Sequence, residues 1–380
     1  MSGSWHITSL SDVATVIGRG IAPKYADTGP VVVLNQRCIR NGRVTFDASR
    51  RHDSYAKPVP PEKLVQVGDV LVNSTGTGTL GRTATVIELG VSTTVDSHVT
   101  IVRSKPGVDS RWLGCALSLA EAEIEAMAEG STGQTELSRH RLALLQLTVP
   151  PLDEQRAIAA TLGALDDKIE SNRRVIDLSE ALADQLFARE SKISVALKNV
   201  ATLTMGSSPP GDTYNELGEG LPFYQGVRDF GRRFPGYRIW TTGAVRLAHQ
   251  NDTLISVRAP VGELNRSREE CCIGRGVAAV ASQHPSTLYY SLRASSTNWT
   301  PFQQEGTVFG AVNKSDLANV QVPWPCMDTL PGLEASLTTI DDKIQSLSIE
   351  IEQIMTLRDT LLPELLSGRI RVTEAWRTTV

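Results

Sequence analysis

The tetrapeptide Asp-Asp-Lys-Ile stands at 166–169 and again at 341–344, each time inside a long apolar repeat. Around the first copy, Ile158, Leu162, Leu165, Ile169, Asn172, Ile176, Ser179, Ala183 and Leu186 recur at alternating steps of four and three. Around the second, Leu333, Leu337, Ile340, Ile344, Leu347, Ile351, Ile354, Arg358, Leu361 and Leu365 do the same. An a/d seam sustained over about four heptads is coiled-coil spacing, narrower than the stripe of an ordinary surface helix. Two helices of about 35 residues, each about 50 Å long at 1.5 Å per residue, are therefore predicted to pack on each other and hold the flanking domains apart. The chain passes through an intervening domain before the second helix begins, so the expected pairing is antiparallel. Asn172, polar within the first seam, reads equally as a register-fixing residue or as a tolerated polar position.

The repetition extends beyond the helices, as a search for internal repeats should test. "LQLTVPPL" at 145–152 parallels "NVQVPWP" at 319–325, and "VGDVLVNSTGTGTLGR" at 67–82 parallels "QNDTLISVRAPVGELNR" at 250–266. The last alignment sets Asp69 on Asp252, Leu71 on Leu254 and Gly81 on Gly262, with the second copy two residues shorter. Four segments follow: domains over 1–150 and 191–327, and helices over 151–190 and 328–380. In both larger segments β-branched runs bounded by Gly, Pro and Asn predict strands, among them "GPVVVLNQRCI", "RTATVIEL" and "CCIGRGVAAVAS". Single helices are expected over 111–130 and near 286–297. The fold class is α+β, two domains in pseudo-repeat separated by a pair of long helices.

Charge follows the same alternation. Residues 1–150 and 191–327 carry net +1 and +3, whereas 151–190 and 328–380 each carry −4. Five cysteines without a C-x-x-C pair argue against a disulfide framework and for reduced, buried thiols. Six isolated histidines offer no metal-ligand spacing. The start, "MSGSWHITSLSDVATVIG", lacks the pattern of a signal peptide and no apolar run reaches membrane-spanning length, so a cytoplasmic protein without membrane contact is expected.

Gly76, Gly78 and Gly81 satisfy G-x-G-x-x-G, a dinucleotide fingerprint when a strand precedes it and a helix follows. The strand is present, but β-branched "RTATVIEL" follows, and the second copy, "SVRAPVGELNR", lacks two of the glycines. A dinucleotide-dependent enzyme thus rests on a motif without its context. No P-loop or nucleophile elbow occurs either. The paired acids Asp166-Asp167 and Asp341-Asp342 fall on expected exposed heptad positions, as a solvated face or a protein contact would.

This arrangement resembles the specificity subunit of Type I restriction-modification systems. The resemblance rests on "PPLDEQRAIAATL", "LDDKIE", "IDDKIQ" and the closing "RDTLLPELLSGRIRV", and covers nearly the whole chain. It departs where "WPCMDTLPGLEASL" stands in place of a second "PPLxEQ". The resemblance implies a non-catalytic subunit whose two target-recognition domains each read half of a bipartite site in double-stranded DNA, with the helices as a ruler. It further implies two modification subunits that bind S-adenosylmethionine and methylate adenine, and two restriction/translocase subunits in the restricting complex; no cofactor is expected in this chain. The helical acids and lysines, Asp166, Asp167, Lys168, Asp341, Asp342 and Lys343, are the expected partner contacts.

Base readout favours Arg, Lys, Asn and Gln, while hydroxyls serve phosphates. On that chemistry the candidate DNA contacts in the first domain are Lys24, Tyr25, Gln36, Arg37, Arg40, Arg43, Asn73, Ser74, Thr75, Thr77 and Arg82. In the second they are Gln225, Arg228, Arg232, Arg233, Arg258, Arg266, Asn313 and Lys314. The competing reading is a coiled-coil adaptor whose globular ends bind proteins.

Overall fold

The computed structural model describes residues 4–130, 135–302 and 310–372. These divide into two compact units: Met1–Glu170 with Glu352–Val380, and Ser171–Ile351. A central helix, Leu152–Arg189, begins in the first unit and ends in the second; a distal helix, Leu330–Leu366, does the reverse. Among the described residues no helix is long and apolar enough to cross a membrane.

In the first unit, one antiparallel sheet runs in the order Ala14–Arg19, Val99–Ser104, Val70–Asn73, Thr83–Thr85. A second sheet sets Thr93–Val95 parallel to Val31–Leu34, followed by Arg50–His52 and Tyr25–Ala26. The short ribbon His6–Ser9 with Gln146–Val149 closes the domain just ahead of the helix. Strand pattern explains the burial: Val70, Leu71 and Val72 are all inside, as expected of a central strand covered on both faces. The predicted helix over 111–130 is two helices, Ser110–Leu119 and Glu121–Ala126, the first capped by Asp109 and broken at Ala120. "RTATVIEL" forms a strand only over Thr83–Thr85.

The second unit repeats the plan. Its antiparallel sheet runs Thr202–Met205, Val277–Ala281, Thr253–Ser256, Leu264–Arg266. Its other sheet again carries one parallel pair, Leu221–Tyr224 with Cys271–Ile273, and Lys192–Ala196 pairs with Gln321–Pro325 as the closing ribbon. The expected helix near 286–297 spans Pro285–Ala294.

Correspondence reaches individual hydrogen bonds. Asp69 and Asp252 each accept a bond at 2.8 Å from the amide three residues back, Gln66 and His249, turning the chain into the equivalent strands. Gly81 N–H bonds Asn73 O at 2.9 Å, and Gly262 N–H bonds Ser256 O at 3.0 Å, with φ of +86° and +92°. Only glycine adopts that region without strain, which is why both copies keep it. The loops between differ in length by the two residues read from the alignment.

Gly20 and Gly206 form a second matched pair. A Cβ on Gly20 would lie 2.0 Å from Val95 O, and one on Gly206 2.1 Å from Gly274 O. Because these obstacles are backbone, Gly206→Ala is expected to destabilise the second unit by about 3 kcal/mol, a core-overpacking effect. Urea unfolding measures it; a loss under about 1 kcal/mol would contradict the close approach.

Helix contacts are clear within each unit. In the first, Ile158, Ala159 and Leu162 share a core with Leu365 and Leu366. In the second, Ala183 and Phe187 share one with Leu333 and Leu337. The seam residues Ile169, Ile176, Ile344 and Leu347 are buried, as is Asn172, whose Nδ2 has no partner among the described residues. Of the five cysteines, all unpaired, Cys38, Cys271 and Cys272 are buried and Cys115 is half-buried, but Cys326 is exposed because it follows the closing ribbon at the helix entrance. Burial pushes the Cys115 and Cys271 thiols up to about 12.

Candidate nucleic-acid interface

In each unit the loops leaving the parallel strand pair and the central antiparallel strand come together. In the first, Ser74 N–H bonds His98 O at 2.9 Å, and Leu137 N–H bonds Ser74 O at 2.9 Å. Thr75 Oγ1 lies 2.8 Å from His98 Nδ1 and 3.4 Å from Gln36 Oε1. Arg19 buttresses the cluster from below, donating to Ser97 O at 2.7 Å and to Glu136 at 2.8 Å. In the second unit the same bonds recur as Val257 N–H to Gly276 O at 2.9 Å and Val312 N–H to Val257 O at 3.0 Å. Thr75 and Arg258 are therefore equivalent, bridged to Glu136 and Ala311 respectively.

A short 3-10 turn follows the inner parallel strand in both, Gln36–Cys38 and Val227–Asp229. Its middle residue is an exposed arginine each time, Arg37 and Arg228. The turns are braced differently. Asn35 accepts from Arg37 N at 2.8 Å and donates to Ala48 O at 2.6 Å. The buried Asp229 accepts from Gln225 N at 2.6 Å and from Arg238 Nη2 at 2.6 Å. A third shared element is a short helix capped by Ser138 in one unit and Asn313 in the other.

Of the candidate contacts, Gln36, Arg37, Thr75, Thr77, Gln225, Arg228, Arg258, Asn313 and Lys314 lie on these loops, with Arg82 beside Asn73; Lys24 and Tyr25 stand at the other end of the sheet, level with Val31, and Arg40 lies on the hairpin after the turn. Lys24, Tyr25, Arg37, Arg40, Thr77, Gln225, Arg228, Arg258, Asn313 and Lys314 are exposed, and Gln36, Thr75 and Arg82 are half-buried. Tyr25 carries the Arg50 guanidinium 3.5 Å from its ring centroid, beside a depression of about 300 Å³.

Other candidates require correction. Asn73 and Ser74 are fully buried at the strand end; the first donates to Gln36 O at 3.1 Å and the second bonds Thr100 Oγ1 at 2.6 Å. Arg233 and Arg266, each 3% exposed, are not surface groups: both guanidiniums meet the carboxylate of Asp341. Asp341, 5% exposed, is thereby removed from the partner surface, since the second domain packs over that side of the distal helix. Arg43 pairs with Glu170, and Arg232 with Asp177 and with Glu180 at 2.9 Å, so both point at the central helix. Of the expected partner contacts, Asp166 is exposed but paired with Arg358 at 3.1 Å, and Asp167, Lys168, Asp342 and Lys343 are exposed.

Residue reasoning overlooked three exposed rim groups, His98, Arg139 and Arg275. Arg139 was within reach: aligning "ELSRHRL" with "AVNKSDL" places it on Lys314. His98 and Arg275 sit in turns whose sequences share nothing. Among the described residues no group of His, Cys, Asp or Glu is placed to hold a metal.

The two units thus share one plan, each presenting a rim built from the same loops and carrying exposed arginines. Residues 3–178 match the sequence family described as Type I restriction modification DNA specificity domain. A relative from Methanocaldococcus jannaschii, named as the MjaX specificity subunit of a type I restriction enzyme, is 30% identical over 273 residues. That match covers 65% of this chain and 64% of the relative, so this chain spans just under two thirds of that relative's length. The MjaVIII specificity subunit of the same organism is 23% identical over 364 residues, covering 84% of this chain and 83% of its own. The fold is similar to the crystal structure of the S subunit of a Type I restriction-modification system from M. genitalium. The TM-score is 0.63 at 16% identity, over 95% of this chain and 96% of that one. Over residues 3–178 the chain matches a Type I specificity-domain family, and over most of its length it is similar to Type I specificity subunits.

Proposed function

We propose that this chain is the non-catalytic DNA sequence-specificity subunit of a Type I restriction-modification complex. Its recognition domains, 1–150 and 191–327, each read one half of a bipartite site. The helical segments 151–190 and 328–380 pair along their length as an antiparallel coiled coil and set the unspecific interval. The observation that carries this reading is the twofold rim: the same loops with the same backbone bonds, furnished with Arg37 and Thr75 in one unit and Arg228 and Arg258 in the other. One scaffold with different side chains is what reading two unlike half-sites requires, since base edges are distinguished by side-chain donors and acceptors.

The exposed and half-buried candidates Lys24, Tyr25, Gln36, Arg37, Arg40, Thr75, Thr77, Arg82, Gln225, Arg228, Arg258, Asn313 and Lys314 contact the duplex in this reading. Two modification subunits dock on the helical segments through exposed groups including Asp167 and Asp342. They supply S-adenosylmethionine chemistry on an adenine drawn from the base stack. Restriction subunits join the same assembly in the cytoplasm.

Methylation mapping of a host with and without the gene tests the proposal: one split adenine-methylated motif disappears in the deletion. Inserting one heptad into each long helix adds about 10 Å. The same half-sites should then be methylated across an interval longer by about three base pairs, at 3.4 Å per step. No lost motif in the deletion would refute the assignment; an unchanged interval would refute the ruler.

A further inference from the structure

In the second unit the segment that carries the exposed Arg228 is bolted to both long helices within the next five residues. Arg232 reaches the central helix, pairing with Asp177 and with Glu180, the latter at 2.9 Å. Its neighbour Arg233 turns the opposite way and meets Asp341 of the distal helix. Arg266, from the edge strand, takes the other carboxylate oxygen of Asp341 and donates to Ser286 Oγ at 3.1 and 3.2 Å. Tyr290 O–H donates to Asp341 Oδ1 at 3.0 Å, and the Arg233 guanidinium lies 3.7 Å from the Tyr289 ring centroid. The acid thus joins three separate stretches of the recognition domain to one point of the helix.

The first unit has a lighter version. There the hairpin after the Gln36–Cys38 turn reaches the central helix through the pair Arg43–Glu170. The acid matching Asp341 in the repeat, Asp166, faces Arg358 of the distal helix instead.

We propose that Asp341, with Arg232, Arg233 and Arg266, is an orientation clamp: these are positioning residues that fix the reading turn at Val227–Asp229 relative to the helices. They thereby restrict the interval length the complex accepts without reading a base. The proposal rests on the specificity-subunit reading. Buried, charge-assisted bonds hold direction as well as distance, which a merely apolar contact does not. A turn held at both ends of Arg232-Arg233 cannot pivot about either helix without breaking one set of pairs.

The test uses the full chain with Asp341→Asn and, as a variant at a half-exposed site, Arg232→Gln. Amide exchange is followed over 226–234, and methylation by the assembled complex is mapped on sites whose interval is varied by one base pair. Exchange in 226–234 is expected to accelerate about tenfold as local opening becomes easier. Methylation at off-length intervals should rise about tenfold relative to the preferred one while the half-site bases stay the same. Unchanged protection in both variants overturns the clamp, and so does an interval as strict as the parent's once protection is lost. A change in the half-site bases overturns it too, by making these residues readers. Should Asp341→Asn fail to fold, Arg232→Gln decides. If the parent complex methylates nothing, the specificity reading falls separately, and the exchange arm still reports whether the arginines hold the turn.

Discussion

Asp341→Ala is expected to lower the stability of the second unit by about 3–5 kcal/mol, the usual cost of leaving a buried charge without its partner. The cost is concentrated because two guanidiniums share one carboxylate. Arg233 Nε and Nη1 and Arg266 Nε already have no hydrogen-bond partner among the described residues. With the acid gone, what remains for two buried cations among the described residues is the Tyr289 and Tyr290 ring faces, Tyr290 Oη and Ser286 Oγ. Asp342→Ala, one residue on and exposed, is the matched control and should stay within about 0.5 kcal/mol of the parent. Urea unfolding of the full chain reads both. Equal small losses would mean the cluster is open in solution. Replacing Arg233, Arg266 and Asp341 together by apolar residues of similar volume should recover much of the loss, since such ion clusters are rarely net stabilising.

Arg228→Ala should relax discrimination at one position of one half-site by about ten- to a hundredfold, the 1–3 kcal/mol of a bidentate base contact. Arg228 stands exposed on a turn braced by the buried Asp229, which itself is held by Arg238. Truncation therefore removes the group proposed to read a base without disturbing the support beneath it. The other half-site, which the proposal assigns to Arg37 and its neighbours, should be untouched. A phosphate contact would behave otherwise: all sequences weaken alike and the salt dependence falls by about one ion. Methylation of a library randomised at both half-sites separates these outcomes, and an unaltered motif at unaltered efficiency would remove Arg228 from the interface.

How far such residues could be read beforehand depended on which neighbour buries them. The heptad positions identified Ile169, Ile176, Ile344 and Leu347 as inside, because the helix partner that covers them obeys the same period. Asp341 follows the seam residue Ile340 and looked solvent-facing on that period. It is covered by Arg233 and Arg266, which arrive from distant stretches of the domain with no periodic signature. Asn73 and Ser74 misled for a related reason. Polar residues after a strand suggest an exposed loop, but here the turns at Gln36 and His98 close over them. Within the glycine triplet at 76–81, Gly81 holds the same backbone position as Gly262 of the other copy.

By itself, then, the sequence determined the two long seams, the repeat of one α+β plan and the loops that vary between copies. Each of these is carried by local periodicity or by direct self-comparison. Only the tertiary structure decided which arginines face outward and which are spent on the helices. A side chain's exposure is set by what packs over it, and the segments covering Arg233, Arg266 and Asp341 lie 33 to 108 residues apart in the chain.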